Sequence, residues 1–159
     1  AVKTKRWAPD RFAKVADALE AKGYKTVFFG GSMDEEMVKE ATALMITKPI
    51  IATGRFTIGQ LAAAMQSCSL IITNDSGPMH VAISQKVPIV AMYGPSSPEL
   101  YGPYTKEATI VTAVPPCTGC AKGMKHECED MQCMKRLSVE QVIEAAEKWL
   151  EKVKNACNV

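Results

Sequence analysis

The 159-residue chain carries 19 Lys and Arg residues against 17 Asp and Glu residues, which leaves a formal net charge of +2. This length is typical of one domain with a sizeable core, so a second large domain is not expected. The near balance of charge excludes a basic stripe for nucleic acid, and the sequence has no apolar run long enough for a transmembrane segment or a signal peptide, so a cytoplasmic location is expected.

Helical and strand periodicities alternate along the chain. The pattern predicts helices over 9–22, 34–45, 57–65, 79–85 and 138–155 and strands over 25–29, 50–51, 69–73, 87–93 and 109–112. Two helices begin with capping boxes, Thr57 with Gln60 and Ser138 with Gln141. Short, continuously apolar strands between helices predict an α/β domain with a doubly wound, Rossmann-like parallel sheet covered on both faces.

Four loops follow the predicted strands at one edge of this sheet, over 30–34, 53–57, 74–78 and 94–103. Ligands of doubly wound sheets bind beyond the carboxyl ends of the strands, so a site is expected among these loops. The stretch 113–137 has no clear periodicity and is predicted to be a cysteine-rich loop within the single domain that spans 1–159.

The segment from Thr73 to His80, Thr-Asn-Asp-Ser-Gly-Pro-Met-His, has the outline of a phosphate-binding turn. Gly77 lets the backbone approach a ligand, Pro78 suits the first turn of a helix, and free N–H groups at a helix start suit an anion. Asp75 would be repelled by a bare diphosphate and is expected to accept hydrogen bonds from sugar hydroxyls or to lie near the chemistry. The alternative is an ordinary turn in which Asp75 or Ser76 caps the helix and His80 packs on it.

Several linked motifs resemble glycosyltransferase family 9, the lipopolysaccharide heptosyltransferase family. They are the run over 73–80, Val-Pro-Ile-Val-Ala-Met-Tyr-Gly-Pro-Ser-Ser-Pro-Glu over 87–99, Gly-Pro-Tyr over 102–104, and Lys5-Arg6-Trp7 near the start, where Ala8 separates the tryptophan from Pro9. The resemblance covers nearly the whole chain. It implies the C-terminal, donor-binding half of a GT-B glycosyltransferase that moves a heptose or a related sugar from a nucleotide diphosphate sugar to a lipopolysaccharide core acceptor, with ADP-heptose as the expected donor.

The resemblance also implies roles for named residues. Lys5 would neutralise the diphosphate and Asp75 would hold the transferred sugar, although a lone terminal lysine is also typical of a solvated charge. The remaining donor-binding residues would be Ser76, Gly77, Pro78, Met79 and His80 around the phosphates, with Gly31, Ser32, Phe56 and Thr57 by the base or ribose. No cofactor is expected to be needed for catalysis.

The resemblance to glycosyltransferase family 9 also implies that the general base lies in an N-terminal half, which would bind the lipid-linked saccharide acceptor as well. This chain matches the other half, and its opening residues match the loop that carries Lys5, so the N-terminal half and the first strand of the C-terminal half are expected to be missing. The fragment alone is therefore expected to be inactive. In the cell, the parent enzyme would lie in the cytoplasm, peripheral to the inner membrane.

Four of the six cysteines fall in one short stretch, at Cys117, Cys120, Cys128 and Cys133. Their spacing is compatible with a structural zinc ion, for which His126 offers a spare ligand, although the second pair is looser than a usual zinc knuckle. Free thiols, an adventitious iron site and a purely structural loop remain alternatives.

Two other functions fit the same architecture. A nucleotide-sugar epimerase would consume the donor without an acceptor, whereas a non-catalytic binding module would hold the donor and transfer nothing.

Overall fold

A computed structural model describes residues 3–113 and 130–157. The strands are β1 (Val27–Gly30), β2 (Ile50–Thr53), β3 (Ile71–Asn74), β4 (Ile89–Met92) and β5 (Ala108–Val111). The helices are α1 (Pro9–Glu20), α2 (Glu35–Ala43), α3 (Ile58–Gln66), α4 (Gly77–Ser84), α5 (Pro98–Tyr101), α6 (Gln132–Lys135) and α7 (Val139–Cys157), and short 3-10 helices occupy Lys3–Lys5 and Ser32–Asp34.

Every strand pairing in the described residues is parallel, which confirms the predicted α/β class. The strands, however, form two sheets rather than one. β1 pairs with β2, and β3, β4 and β5 pair in that order, with no ladder between β1 and β3. The chain therefore winds outward in two directions from a gap between β1 and β3.

The core lies on both faces of β4. Its four residues are completely buried, and successive side chains point to opposite faces, as the period of a strand requires. Val90 and Met92 join a cluster with Trp7 and residues of α7, while Ile89 and Ala91 join a second cluster beneath α3 and α4. The burial of β4 on both faces agrees with the prediction made from the continuous apolar run over 87–93.

Both predicted capping boxes are present. Gln60 N donates to Thr57 Oγ1 at 3.3 Å while Thr57 N donates to Gln60 Oε1 at 2.9 Å, at the start of α3. At the start of α7, Ser138 N donates to Gln141 Oε1 at 2.9 Å. Among the helices described, none is long and apolar enough to cross a membrane.

Some details differ from the sequence predictions. The helix predicted over 34–45 would turn Leu44 inward by its spacing, but α2 ends at Ala43 and Leu44 is 56% exposed, whereas Val38 is buried on that helix. Ile50 and Ile51 are exposed because β2 is an edge strand, with no further strand beside it in the part of the chain that the structure describes. The loop over 94–103 contains the single turn of α5, and the stretch over 113–137 contains α6 in its described part.

Candidate functional site

The turn between β3 and α4 leaves the start of a helix open toward the rim of the sheet. Ser76 stands at the N-cap in an extended conformation, with φ at −158°, yet its side chain makes no capping hydrogen bond. Pro78 lies in the first turn and has no N–H group to satisfy. The positive end of the α4 dipole is therefore left without a side-chain cap, which is the condition that favours an anionic ligand.

Asp75 is a buried carboxylate that holds an ion pair beside this turn. It is 8% exposed, and its Oδ2 atom accepts hydrogen bonds from Lys5 Nζ at 2.5 Å and from Ser96 Oγ at 2.6 Å. Among the described residues, Oδ1 has no hydrogen-bond partner. The alternative in which Asp75 caps α4 is not what the structure shows, because the carboxylate binds Lys5 and Ser96.

Lys5 reaches Asp75 because the segment before α1 is fastened to the end of β3. Trp7 N donates to Asn74 Oδ1 at 3.2 Å, and the fully buried Trp7 ring donates from Nε1 to the Leu137 carbonyl oxygen at 3.0 Å. The ammonium of Lys5 also lies 5.6 Å from the centroid of the Tyr101 ring. A lysine that could have been a solvated charge is thus held at the rim, with its side chain only 14% exposed.

Ser96 and two tyrosines belong to this cluster but were not singled out from the sequence. Tyr93 is buried, and its hydroxyl donates to the Tyr101 carbonyl oxygen at 2.9 Å, which fixes the loop that carries Ser96. Burial, and then the negative charge of Asp75, raise the pKa of the Tyr93 phenol well above its ordinary value, so this hydroxyl remains a donor. The only sequence signal was the position of the loop over 94–103 at the predicted rim.

A cavity of about 890 Å³ opens beside this cluster, between β1 and β3. Six of the predicted donor-binding residues line it: Lys5, Asp75, Ser76, Gly77, Pro78 and His80. A Cβ atom on Gly77 would meet no protein atom within 4 Å, so the space in front of the helix start is open. The structure therefore brings the phosphate-side residues together.

Met79 does not reach this cavity, contrary to its expected place among the donor-binding residues. Its side chain is completely buried in the core, where the Tyr93 hydroxyl lies 3.5 Å from its sulfur. Its N–H group already donates to the Ser76 carbonyl oxygen at 3.1 Å. Helical spacing explains the difference, because the third position of α4 faces inward while Gly77 and His80 are exposed.

The four residues predicted near the nucleoside lie at the ends of β1 and β2 and do not line the cavity. Gly31 and Ser32 are exposed, and Gly31 N donates to Asp34 Oδ2 at 3.1 Å. Phe56 is 42% exposed and leans on Phe29, with ring centroids 6.2 Å apart. Thr57 is engaged as the cap of α3.

The cysteine cluster lies mostly outside the described residues, which exclude Cys117, Cys120 and Cys128. Cys133 is buried in α6 and belongs to the core cluster around Trp7. Within residues 3–113 and 130–157, no group of three or more His, Cys, Asp or Glu side chains is placed to hold a metal ion.

A parallel, doubly wound arrangement with an open helix start on its rim is the architecture of Rossmann-like α/β domains that bind anionic ligands. The particular family follows from direct comparison. Residues 1–131 match the model of glycosyltransferase family 9 (heptosyltransferase), and the chain belongs to that family.

Solved and curated relatives agree with this assignment. A family 9 glycosyltransferase from Veillonella parvula superposes with a TM-score of 0.85 at 53% identity, over 96% of this chain and 44% of that one. Escherichia coli ADP-heptose lipopolysaccharide heptosyltransferase II superposes with a TM-score of 0.82 at 30% identity, over 95% of this chain and 44% of its own.

Lipopolysaccharide heptosyltransferase 2 from E. coli K12 is 35% identical over 114 residues, which cover 69% of this chain and 33% of that protein. The chain thus spans a third of the length of this curated relative and less than half of each of the two solved structures. This coverage fits the predicted C-terminal half of a GT-B glycosyltransferase.

Proposed function

We propose that this chain is the donor-binding half of a heptosyltransferase and holds a nucleoside diphosphate sugar, ADP-heptose, for transfer to a lipopolysaccharide core acceptor. The sugar and the acceptor are taken from the names of the E. coli relatives, an ADP-heptose heptosyltransferase and a lipopolysaccharide heptosyltransferase. The observation that carries the proposal is the cluster of Lys5, Asp75 and Ser96 beside the uncapped start of α4.

The diphosphate would bind between Lys5 and the first turn of α4. A lysine ammonium has three N–H donors, and Asp75 takes one, so two remain for phosphate oxygens. The open N–H groups and dipole of α4 supply further fixed positive potential, with His80 behind the turn. Donors aimed at the departing diphosphate would stabilise charge that develops in the transition state, and they do so without a resident cofactor.

Asp75 would hold the transferred sugar through its other oxygen. Lys5 and Ser96 occupy Oδ2 and fix the plane of the carboxylate, while Oδ1 is open among the described residues. A carboxylate oxygen accepts strong hydrogen bonds from hydroxyl groups. The ion pair with Lys5 also reduces the repulsion between Asp75 and a neighbouring diphosphate, so both can share one site.

The nucleoside would extend toward the ends of β1 and β2. The exposed ring of Phe56 offers a flat apolar surface for a base, and the N-terminal turn of α3 at Thr57 and the backbone at Gly31 and Ser32 border it. The rest of the enzyme would supply the general base and bind the lipid-linked acceptor, and the reaction would take place at the cytoplasmic face of the membrane.

Calorimetry with ADP tests the proposed site. Lys5→Met is expected to weaken ADP binding at least about tenfold, since it removes a charged phosphate contact. Gly77→Val is expected to weaken it similarly without loss of stability, because the added atoms enter open space rather than the protein.

The matched control is Lys14→Met, since Lys14 lies on α1, its side chain is 65% exposed, and its Nζ atom lies 3.3 Å from Asp10 Oδ2, away from the proposed site. This variant should bind ADP as the parent chain does. Unchanged ADP affinity in both Lys5→Met and Gly77→Val would refute the assignment.

A further inference from the structure

The loop that follows β4 holds an exposed aromatic ring beside the ion pair of Lys5 and Asp75. The Lys5 ammonium lies 5.6 Å from the centroid of the Tyr101 ring, and the same ammonium binds Asp75 Oδ2 at 2.5 Å. Ser96, on the same loop, donates to that oxygen at 2.6 Å. Tyr101 is 44% exposed and does not line the cavity between β1 and β3. The ring is therefore next to the proposed donor site and outside the cavity.

The backbone beneath this ring is fixed. The buried Tyr93 hydroxyl donates to the Tyr101 carbonyl oxygen at 2.9 Å, and Tyr101 N donates to the Ser97 carbonyl oxygen at 3.0 Å. The next residue, Gly102, has no room for a side chain, since a Cβ atom there would lie 2.0 Å from the Pro98 carbonyl oxygen. Single exposed apolar side chains are ordinary on a protein surface. A ring whose position is set before binding, however, loses little conformational freedom when a ligand covers it.

Lys5 does not need this ring to hold its position. A cation–π contact is effective within about 6 Å of the ring centroid, so a separation of 5.6 Å is near its outer limit. The ammonium is already bound by Asp75, and the Lys5 side chain is only 14% exposed. Removal of the Tyr101 ring should therefore change the position of the ammonium little.

The order of the strands places the ring at one end of the proposed donor. Phe56, proposed to contact the base, follows β2, and the start of α4, proposed to bind the diphosphate, follows β3. Tyr101 follows β4, which pairs with β3 within the other sheet from β1 and β2. A donor that lies along this rim, with its base at Phe56 and its diphosphate at α4, extends its sugar toward the loop after β4.

The chemistry of a sugar suits an aromatic ring and a carboxylate together. The transferred sugar is bonded to the diphosphate that Lys5 would bind, so it lies close to the ammonium and to the Tyr101 ring. One face of a pyranose carries mainly C–H groups, which are attracted to the negative face of an aromatic ring. Its hydroxyl groups donate to a carboxylate, and Asp75 Oδ1 is open among the described residues.

We infer that Tyr101 is a specificity-determining residue for the transferred sugar, and that its ring covers the C–H face of a pyranose whose hydroxyl groups Asp75 binds. This inference rests on the proposed donor site and adds the class of sugar, a pyranose with one apolar face rather than an acyclic or charged group. The base and the diphosphate do not touch the ring. Tyr101 therefore affects the affinity for the complete donor and not the affinity for ADP.

Calorimetry with ADP and with ADP-heptose separates these two affinities. Tyr101→Ser is expected to weaken ADP-heptose binding about tenfold and to leave ADP binding within about twofold of the parent chain. Tyr101→Phe keeps the ring and should bind ADP-heptose within about threefold of the parent. The hydrogen bonds that fix the turn use the Tyr101 backbone, so both substitutions leave them in place.

The matched control is Leu100→Ala, which truncates a neighbouring side chain that is 68% exposed on the same turn. This variant should bind both ligands as the parent chain does. Equal weakening of ADP and ADP-heptose binding in Tyr101→Ser would overturn the inference, because the ring would then serve to position Lys5. Unchanged ADP-heptose affinity in Tyr101→Ser, or an equal loss in Leu100→Ala, would also overturn it. These results would leave the proposed donor site standing, whereas failure of the parent chain to bind ADP would refute that site and the inference together.

Discussion

The two sheets carry similar apolar sequences but are held in different ways. In β3–β4–β5, stability comes from burial, and Ile89 has no exposed surface. In β1–β2, Ile51 is 45% exposed, and carboxylates of α1 fasten the connecting loops instead. Asp17 accepts hydrogen bonds from Ile46 N and Thr47 N, and Glu20 accepts them from Thr26. Similar strand sequences therefore do not imply similar packing. The β3–β4–β5 sheet is buried in the core, whereas the β1–β2 sheet is an outer layer whose loops are held by polar contacts.

The same substitution in each sheet should give very different losses of stability. Ile89→Ala is expected to lower the free energy of unfolding by about 4 kcal/mol, since it opens a cavity in a closed core. Ile51→Ala should lower it by about 1 kcal/mol or less, because that side chain is already half in water. Chemical denaturation of both variants measures the difference. Equal losses would contradict the contrast between the sheets.

Breaking the Lys5–Asp75 ion pair at the end of β3 should lower stability, because it leaves one buried charge without a partner. Asp75→Asn is expected to destabilise the chain by about 3 kcal/mol, because Lys5 then keeps its charge on a side chain that is only 14% exposed, without its carboxylate partner. The double variant Lys5→Met with Asp75→Asn removes that charge and should recover a large part of the loss. Additive losses in the double variant would show that the two side chains do not form a coupled pair.

Acid should loosen the β1–β2 region first. Although burial acts to raise it, hydrogen bonds from Thr47 and Ile46 hold the pKa of Asp17 below its ordinary value, and the hydrogen bond from the Thr26 side chain does so for Glu20. A carboxyl whose pKa is depressed by folding stabilises the fold above its unfolded pKa and loses that contribution as pH falls through the folded pKa.

Stability should therefore decline from about pH 5 downward. Asp17→Asn should cost about 1 kcal/mol at neutral pH and should flatten that decline. Amide exchange at Ile46 and Thr47 at successive pH values measures it. An equally steep decline in Asp17→Asn would exclude this carboxylate as a source of acid sensitivity.

Local sequence rules predicted the elements well because the local signals agree with the fold. The Thr57 and Ser138 boxes marked helix starts, and the apolar run over 87–93 marked a buried strand. Leu44 was misplaced because its spacing fits the helix predicted over 34–45, which in fact ends at Ala43. The division into two sheets was not predicted. The apolar residues of β1 and β3 show that both strands suit a buried position, but they do not show whether another strand lies between them.

The site was predictable only as far as its motifs extend. The turn at Asp75–Pro78 and the neighbouring His80 were identified because glycine, proline and a helix start have known uses near phosphates. Ser96 was missed because nothing in the sequence distinguishes it from Ser97, and only the packing of Tyr93 against the loop sets which hydroxyl meets the carboxylate. Met79 stands within the same motif, but its side chain faces the core and does not line the cavity, which the run of residues alone could not show.

The central claim is that the start of α4 and Lys5 form the diphosphate site. Amide chemical shifts measured by NMR during titration with ADP test it most directly. The largest shifts are expected at Asp75, Gly77 and His80, and they should disappear in Lys5→Met and persist in Lys14→Met. Shifts confined to other parts of the chain, or the same shifts in Lys5→Met as in the parent, would contradict the assignment.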